Sequence, residues 1–194
     1  MKKLVFLFLI IFSCNHTIEE KKSEQKKSVI DFTTVFEKSK GLETATYQET
    51  IKYYNDLADS YPEISIKEIG ATDSGKPLHM VTLNMKGSGD DFENLRQNNR
   101  IVLINNGIHP GESDGIDATM MLYRGGSLNR NSTTRTIQNG PKEYGFRGNA
   151  RNYDLNRDFI KADTKNAKTF AQIFHLVQPD VFIDNHVSNG ADYQ

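Results

Sequence analysis

Three residues in this 194-residue chain have the types and spacing of a hydrolytic metal site. His109 and Glu112 fall within Gly107-Ile108-His109-Pro110-Gly111-Glu112, and His186 follows Asp184-Asn185. Two imidazoles and a carboxylate, with water in the fourth position, are a donor set that binds Zn²⁺ in hydrolytic enzymes. Such an ion polarises a scissile carbonyl and lowers the pKa of its water toward about 7. An H-x-x-E pair alone is a common accident. Placement singles these residues out. Each histidine follows a short apolar run, Ile101–Ile104 and Val181–Ile183, that reads as a buried strand. Open α/β sheets place their sites at the carboxyl ends of strands. The other histidines lack that context and read as packing or surface residues: His16 in a polar N-terminal stretch, His79 in a strand pair, His175 on a helix.

The surrounding elements follow from hydrophobic periodicity. Thr46–Ser60 predicts a helix whose face carries Ile51, Tyr54, Leu57, Ala58 and Tyr61, ended by Pro62. Ile64–Ile69 and Leu78–Leu83 predict a hairpin around the turn Asp73-Ser74-Gly75-Lys76-Pro77, and Gly87–Asp91 reads as loop. Ile101–Ile104 suits a strand buried on both faces. Glu112–Tyr123 predicts a helix with Ile116, Met120 and Tyr123 on one side. Thr164–Gln178 predicts another, capped by Asp163, with Ala167, Phe170, Ala171, Phe174 and Val177 as its buried stripe and Pro179 as its stop. Strands alternating with helices imply an α/β fold: a mixed open sheet with helices on both faces. Residues 125–152 are rich in Gly, Asn, Thr and Arg; Arg130, Arg135, Arg147 and Arg151 suit either an anion-binding wall or a surface loop.

Composition excludes several classes. Lys and Arg number 24 against 25 Asp and Glu, so there is no basic excess of the kind nucleic acid requires. A single cysteine rules out an intrachain disulfide framework. Met1–Cys14, MKKLVFLFLIIFSC, has the charged start and short apolar run of a secretory signal, too short to span a bilayer. Its end resembles a bacterial lipobox, in which Cys14 is lipidated and becomes the mature N-terminus. The expected protein is therefore exported and anchored as a lipoprotein, periplasmic or on the cell surface. Residues 15–40 are expected to form a charged tether and residues 41–194 the folded domain.

Read in order, three motifs resemble the zinc metallocarboxypeptidase family of the carboxypeptidase A type. They are His109-Pro-Gly-Glu112, the string Asp154-Leu-Asn156-Arg157-Asp-Phe159, and a strand ending in His186 with Ser188 two residues on. The resemblance runs from about Tyr47 to Gln194, and the segment Gly70–Pro77 fits it as well. It implies a zinc carboxypeptidase-like fold and a peptide or peptide-like substrate with a free carboxylate. His109, Glu112 and His186 match the ligands of one zinc ion. Arg157 with Asn156 matches the pair that holds the substrate's C-terminal carboxylate, a role suited to a bidentate guanidinium. Asp154 matches the carboxylate that receives the other ring N–H of the first zinc histidine. The oxyanion-stabilising arginine corresponds to Arg147 or Arg135, with Arg147 preferred.

The resemblance also implies gaps. The family's general base is a glutamate on a strand well after the third zinc ligand, and Glu143 precedes that ligand. No base is therefore matched, and the domain reads as incomplete at its C-terminus, with catalysis lowered by roughly 10²–10⁴-fold. A further strand-bearing segment is expected to be missing between about Arg124 and Gly125. Other readings are amidase action on cell-wall peptides, deacylation of an N-acyl amino acid, and a non-catalytic fragment that binds zinc or peptide.

Overall fold

The computed structural model describes residues 30–87, 89–128 and 147–187. The signal, Cys14, His16, Arg130, Arg135, Glu143 and Ser188 lie outside the described residues.

Helix α1 (Val35–Lys38) is one turn closed by a capping box, in which Thr34 Oγ1 accepts from Glu37 N–H and the Glu37 carboxylate accepts from Thr34 N–H. Phe36 is buried, and Arg124 holds Glu37 through two N–H···O bonds of 2.5 and 2.8 Å. Residues 30–40 are thus part of the fold, where a tether to residue 40 was expected. The charged composition concealed a partner for Glu37 nearly ninety residues away. Helix α2 (Tyr47–Ser60) starts with the same device, Thr46 and Glu49. It buries Tyr53, Tyr54 and Leu57.

Strands β1 (Ile64–Ala71) and β2 (Pro77–Leu83) form the expected antiparallel hairpin, with Ile64 opposite Leu83 and a bulge between Glu68 and Gly70. A short helix, α3 (Phe92–Asn98), follows in a stretch to which the sequence pattern assigned no element. Phe92 and Leu95 are its large apolar residues, too few for a periodic signal, and Asp91 caps it by accepting from Asn94 N–H. Strand β3 (Val102–Asn105), helix α4 (Asp114–Leu128), a 3₁₀ turn (Leu155–Arg157), helix α5 (Lys165–Val177) and strand β4 (Val181–Asp184) complete the described elements. Helix α4 runs unbroken across Arg124 and Gly125.

β3 and β4 pair in parallel, Val102 beside Val181 through Asn105 beside Asp184. The described strands therefore make two two-stranded sheets, β1–β2 and β3–β4, rather than one continuous open sheet. Helices pack on both faces of the β1–β2 hairpin. Alternation on β2 turns Val81 and Leu83 toward α2 and α4, against Leu57, Ile116 and Met120. It turns Leu78 and Met80 to the opposite side, where they share a cluster with Phe92, Ile173, Val177 and, from the other sheet, Ile101 and Leu103.

Two burial expectations are corrected. β3 and β4 are not buried on both faces: Val102, Val181, Phe182 and Ile183 are 52, 50, 38 and 41% exposed. The buried face of α5 is Thr169, Ile173 and Val177, not the stripe through Ala167, Phe170, Ala171 and Phe174. Phe170 and Phe174 instead gather with Phe159 and Phe182, ring centroids 5.4–6.1 Å apart, and Phe174 stays partly exposed. The helix carries two apolar stripes, and a 3.6-residue period alone cannot choose between them. The cap is also reassigned from Asp163 to Thr164, whose Oγ1 accepts from Ala167 N–H. Asp158 fixes that start by accepting from the Thr164 N–H and O–H and from Asp163 N–H.

Candidate metal centre

The carboxyl ends of β3 and β4 are joined by side chains before any chemistry begins. Asn105 Nδ2–H donates to Asp184 Oδ1 (2.9 Å), and Asn185 Nδ2–H donates to Asn106 Oδ1 (2.8 Å). Asn106 in turn donates to Thr119 Oγ1 on α4. The close approach of α4 requires glycine at its start: a Cβ on Gly115 would sit 2.5 Å from Asn185 Cβ. Gly107 takes φ +69°, a left-handed conformation that turns the chain out of β3 toward His109.

From there His109–Glu112 forms a tight turn, with Glu112 N–H donating to the His109 carbonyl at 2.9 Å. Pro110 and Gly111 occupy its centre. A turn closed this way sets its first and last side chains side by side. His109 Nδ1 lies 2.9 Å from Glu112 Oε1, and His186 Nδ1, from the end of β4, lies 3.0 Å from Glu112 Oε2. The two imidazole centroids are 5.0 Å apart. One donor atom from each of His109, Glu112 and His186 lies within 4.8 Å of the others. The structure thus brings the three expected ligands together.

The outward nitrogens are equally ordered. His109 Nε2 meets Asp154 Oδ1 and His186 Nε2 meets Asp184 Oδ2, both at 2.9 Å. A proton on each Nε2 therefore leaves both Nδ1 lone pairs facing Glu112, as metal ligation demands. The donor set fits zinc in type and in tautomer. Asp154 was expected beside the first histidine; Asp184 beside the second was not. Its signal was present in the sequence, an acid two residues before His186 at a strand end, where side chains two apart share a face.

The charges fit this arrangement. The His109 hydrogen bond, aided by Asn156 N–H and Arg147 and opposed by partial burial, brings the Asp154 carboxyl down to about 2. Burial pushes Glu112 up, but the Val187 N–H and the two imidazoles outweigh it and hold the carboxyl below its usual range. Burial likewise disfavours the His186 imidazolium, and Asp184 and Glu112 overcome this and raise it above its usual value.

Arg147 enters from the chain preceding Asp154. Its Nε–H donates to Asp154 Oδ2 at 3.1 Å and its Nη1 lies 3.3 Å from Glu112 Oε1. Of the four arginines read as an anion wall, Arg147 stands at the metal group. Arg151 sits instead over the Tyr153 ring and 3.8 Å from Asp73. Asn156 and Arg157 lie on the 3₁₀ turn that Asp154 caps by accepting from Asn156 N–H, and Arg157 is exposed, with Nη1–H donating to the Asn156 carbonyl. His79 contacts Tyr47 and Glu68, away from this group, as a packing residue would.

Residues 50–125 match the family model described as zinc carboxypeptidase. A search of the curated proteins gives no match. Among solved structures, a metallo-carboxypeptidase from Burkholderia cenocepacia matches with a TM-score of 0.59 and 20% identity over 77% of this chain and 43% of that one. A candidate carboxypeptidase from Burkholderia mallei matches with a TM-score of 0.56 and 20% identity over 77% and 41%. The chain spans about two fifths of the length of these structures. The family match includes His109 and Glu112 but ends before Asp154 and His186, which geometry alone brings to the site. In sequence over residues 50–125, and in the fold of its described residues, the chain is zinc carboxypeptidase-like.

Proposed function

We propose that this chain binds one zinc ion through His109 Nδ1, Glu112 and His186 Nδ1, at a site built to hydrolyse a peptide bond near a free C-terminal carboxylate. The supporting observation is the matched pair of carboxylate–imidazole contacts, which turns both Nδ1 atoms toward Glu112. When bound, zinc supplies Lewis-acid polarisation of a carbonyl and acidification of water. Asp154 and Asp184 hold the two imidazoles in one tautomer and orientation. Arg147 holds positive charge beside Glu112, where an oxyanion would need it. Arg157, exposed on its 3₁₀ turn beside Asn156, grips the substrate carboxylate.

Proton transfer is the weak point. Among the described residues, the site carboxylates Asp154, Asp184 and Glu112 are each engaged by an imidazole. None of these three is free to take a proton from water, so turnover that relied on them would be slow while zinc and peptide binding persist. The same scaffold would serve an amidase on cell-wall peptides or an N-acyl amino acid deacylase. Comparing a peptide with a free C-terminus, its C-terminal amide and an N-acyl amino acid as substrates separates these, since a grip by Arg157 would favour the two with a free carboxylate and chain length would divide those. We also propose export and membrane anchoring through Cys14; Cys14→Ser should move the protein from the membrane to the soluble fraction.

Zinc calorimetry is the primary test. One ion per chain is expected for the native protein, and His109→Ala should abolish stoichiometric binding. Unchanged stoichiometry in that variant would remove the ligand assignment.

A further inference from the structure

The arm that brings Arg147 and Asp154 to the metal group is a small closed loop, and Asn149 closes it. Asn149 N–H donates to the Tyr153 carbonyl at 2.9 Å, and Asn152 N–H donates to the Asn149 carbonyl at 2.8 Å. Asn149 Oδ1 accepts from both Arg151 N–H and Tyr153 N–H, at 2.9 and 3.0 Å, the local side-chain turn that asparagine favours. Asn152 takes φ +64° and lies against Gly148, where a Cβ would stand 3.0 Å from Asn152 Oδ1. Arg147 leaves one end of this loop and Asp154 the other. Their side chains meet each other, and Arg147 also reaches Glu112 while Asp154 reaches His109.

The loop is tied to the fold at Asp73, in the β1–β2 turn, whose side chain is 1% exposed. Asn149 Nδ2–H donates to Asp73 Oδ2 at 2.8 Å, with Asn166 Oδ1 3.4 Å from the same nitrogen. The turn is rigid in its own right: Thr72 N–H and Oγ1–H both donate to the Lys76 carbonyl, and Gly75 takes φ +80° with its N–H on the Thr72 carbonyl. Three contacts fix it to α5. Thr169 Oγ1–H donates to the Ala71 carbonyl (2.8 Å), Asp73 N–H to Asn166 Oδ1 (3.0 Å), and Lys165 N–H to Asp73 Oδ1 (3.4 Å). A carboxylate is favoured at a helix start, where backbone N–H groups lack partners. Arg151 Nη1 stands 3.8 Å from the same Oδ1. Every group facing the Asp73 carboxylate is thus a donor, which only an acceptor-only side chain satisfies.

We propose that Asp73 is a positioning residue for the His109–Glu112–His186 group: through Asn149 it holds the 148–153 loop so that Asp154 meets His109 Nε2 and Arg147 stands beside Glu112. Its effect on zinc presupposes the ligand assignment made above; its effect on His109 does not. Among the described residues, no hydrogen bond or ion pair joins Asp73 or Asn149 directly to His109, Glu112 or His186, so the influence passes through Asp154 and Arg147. Without Asp73 the loop keeps its internal bonds but loses its post, and both of its ends shift together. An imidazole whose carboxylate partner drifts loses its fixed tautomer and ring orientation. Metal sites are sensitive to such support because ligands must be held to within about 0.5 Å.

Proton NMR of the full 194-residue chain reads the loop without any metal. The imidazole proton on His109 Nε2, assigned by its absence in His109→Ala, should exchange with water at least about tenfold faster in Asp73→Ala, the shift expected when a hydrogen bond to a charged acceptor is lost. The rate is taken relative to the amide of the fully buried Leu57, which reports opening of the frame. Asn149→Ala should act alike. The reciprocal pair, Asp73→Asn with Asn149→Asp, again sets a donor against an acceptor and should recover the slow rate. Zinc affinity should fall about tenfold in Asp73→Ala, the low end of the range for an imidazole's lost partner, and should fall no further where Asp154→Asn is already present. An unchanged imidazole rate in both alanine variants, faster exchange shared equally by Leu57, no recovery in the reciprocal pair, or additive zinc losses would each overturn the proposal. A native chain that binds no zinc yet shows the imidazole response would remove the ligand assignment and uphold the role of Asp73 in placing His109.

Discussion

The two sheets achieve order by opposite means. The β1–β2 hairpin is held by burial: Leu57 and Ile64 beside it are 0 and 4% exposed, and Tyr53, Tyr54 and Met120 close the same cluster. The β3–β4 pair leaves Val181, Phe182 and Ile183 open, yet its carboxyl end is tied by two asparagine bonds, a backbone bond from Asn185 to Asn105 and the Gly115 contact. Hydrophobic burial builds the frame, and polar clamps set His109, Glu112 and His186. A site needs placement within fractions of an ångström, which directional hydrogen bonds give and apolar contact alone does not.

The largest expected effect separates the two halves directly. Leu57→Ala deletes a fully buried side chain and should cost about 2–5 kcal/mol of unfolding free energy. Phe182→Ala removes a larger side chain from an exposed strand and should cost less than about 1 kcal/mol. Urea denaturation measures both. Equal losses would mean that the β3–β4 face is covered in solution, and the contrast would fail.

Gly115→Ala attacks the clamp instead of the frame. A methyl group there must displace Asn185, and overpacking of this kind costs about 1–3 kcal/mol. Zinc affinity should fall in the same variant, because Asn185 immediately precedes His186. Stability lost with zinc affinity unchanged would show that α4 does not position the ligand. A finer cut is Asp184→Asn. It replaces the acceptor for His186 Nε2–H with an amide that can present the wrong group, and zinc affinity should drop about 10–100-fold with little change in the urea midpoint. Asp154→Asn should behave alike at His109.

The sequence displayed the clustered donor residues more clearly than the means of holding them. His109, Glu112 and His186 were legible because a tight turn and two strand ends leave local marks: Pro110-Gly111 and apolar runs of four and three residues. The hairpin and α2 were legible for the same reason. The clamp was not, since Asn105, Asn106 and Asn185 look like ordinary polar strand ends until β3 and β4 pair across nearly eighty residues. Helix α1 was hidden likewise, because its Glu37 is satisfied by Arg124 from the far side of the domain. On α5 the period predicted a helix correctly, but the choice between its two stripes belongs to the sheet beneath it.

The smallest expected effect probes an imperfection in the well-buried half. Asp117 of α4 is 2% exposed; it accepts the Thr44 hydroxyl through Oδ2, while Oδ1 has no hydrogen-bond partner among the described residues. Burial, only partly offset by Thr44, pushes its carboxyl up to about 6. A carboxyl held above its ordinary value of 3.8 binds its proton more tightly in the folded chain than in the unfolded one. Its contribution to stability is therefore full below pH 4 and is lost as pH rises through about 6. Asp117→Asn keeps an acceptor for Thr44 and removes the titration. The difference in unfolding free energy between native protein and variant should fall from pH 4 to pH 6 and stay level on either side. A difference that is flat across that range would mean that the Thr44–Asp117 contact is solvated. The frame would then lack the dry interior that distinguishes it from the clamped half.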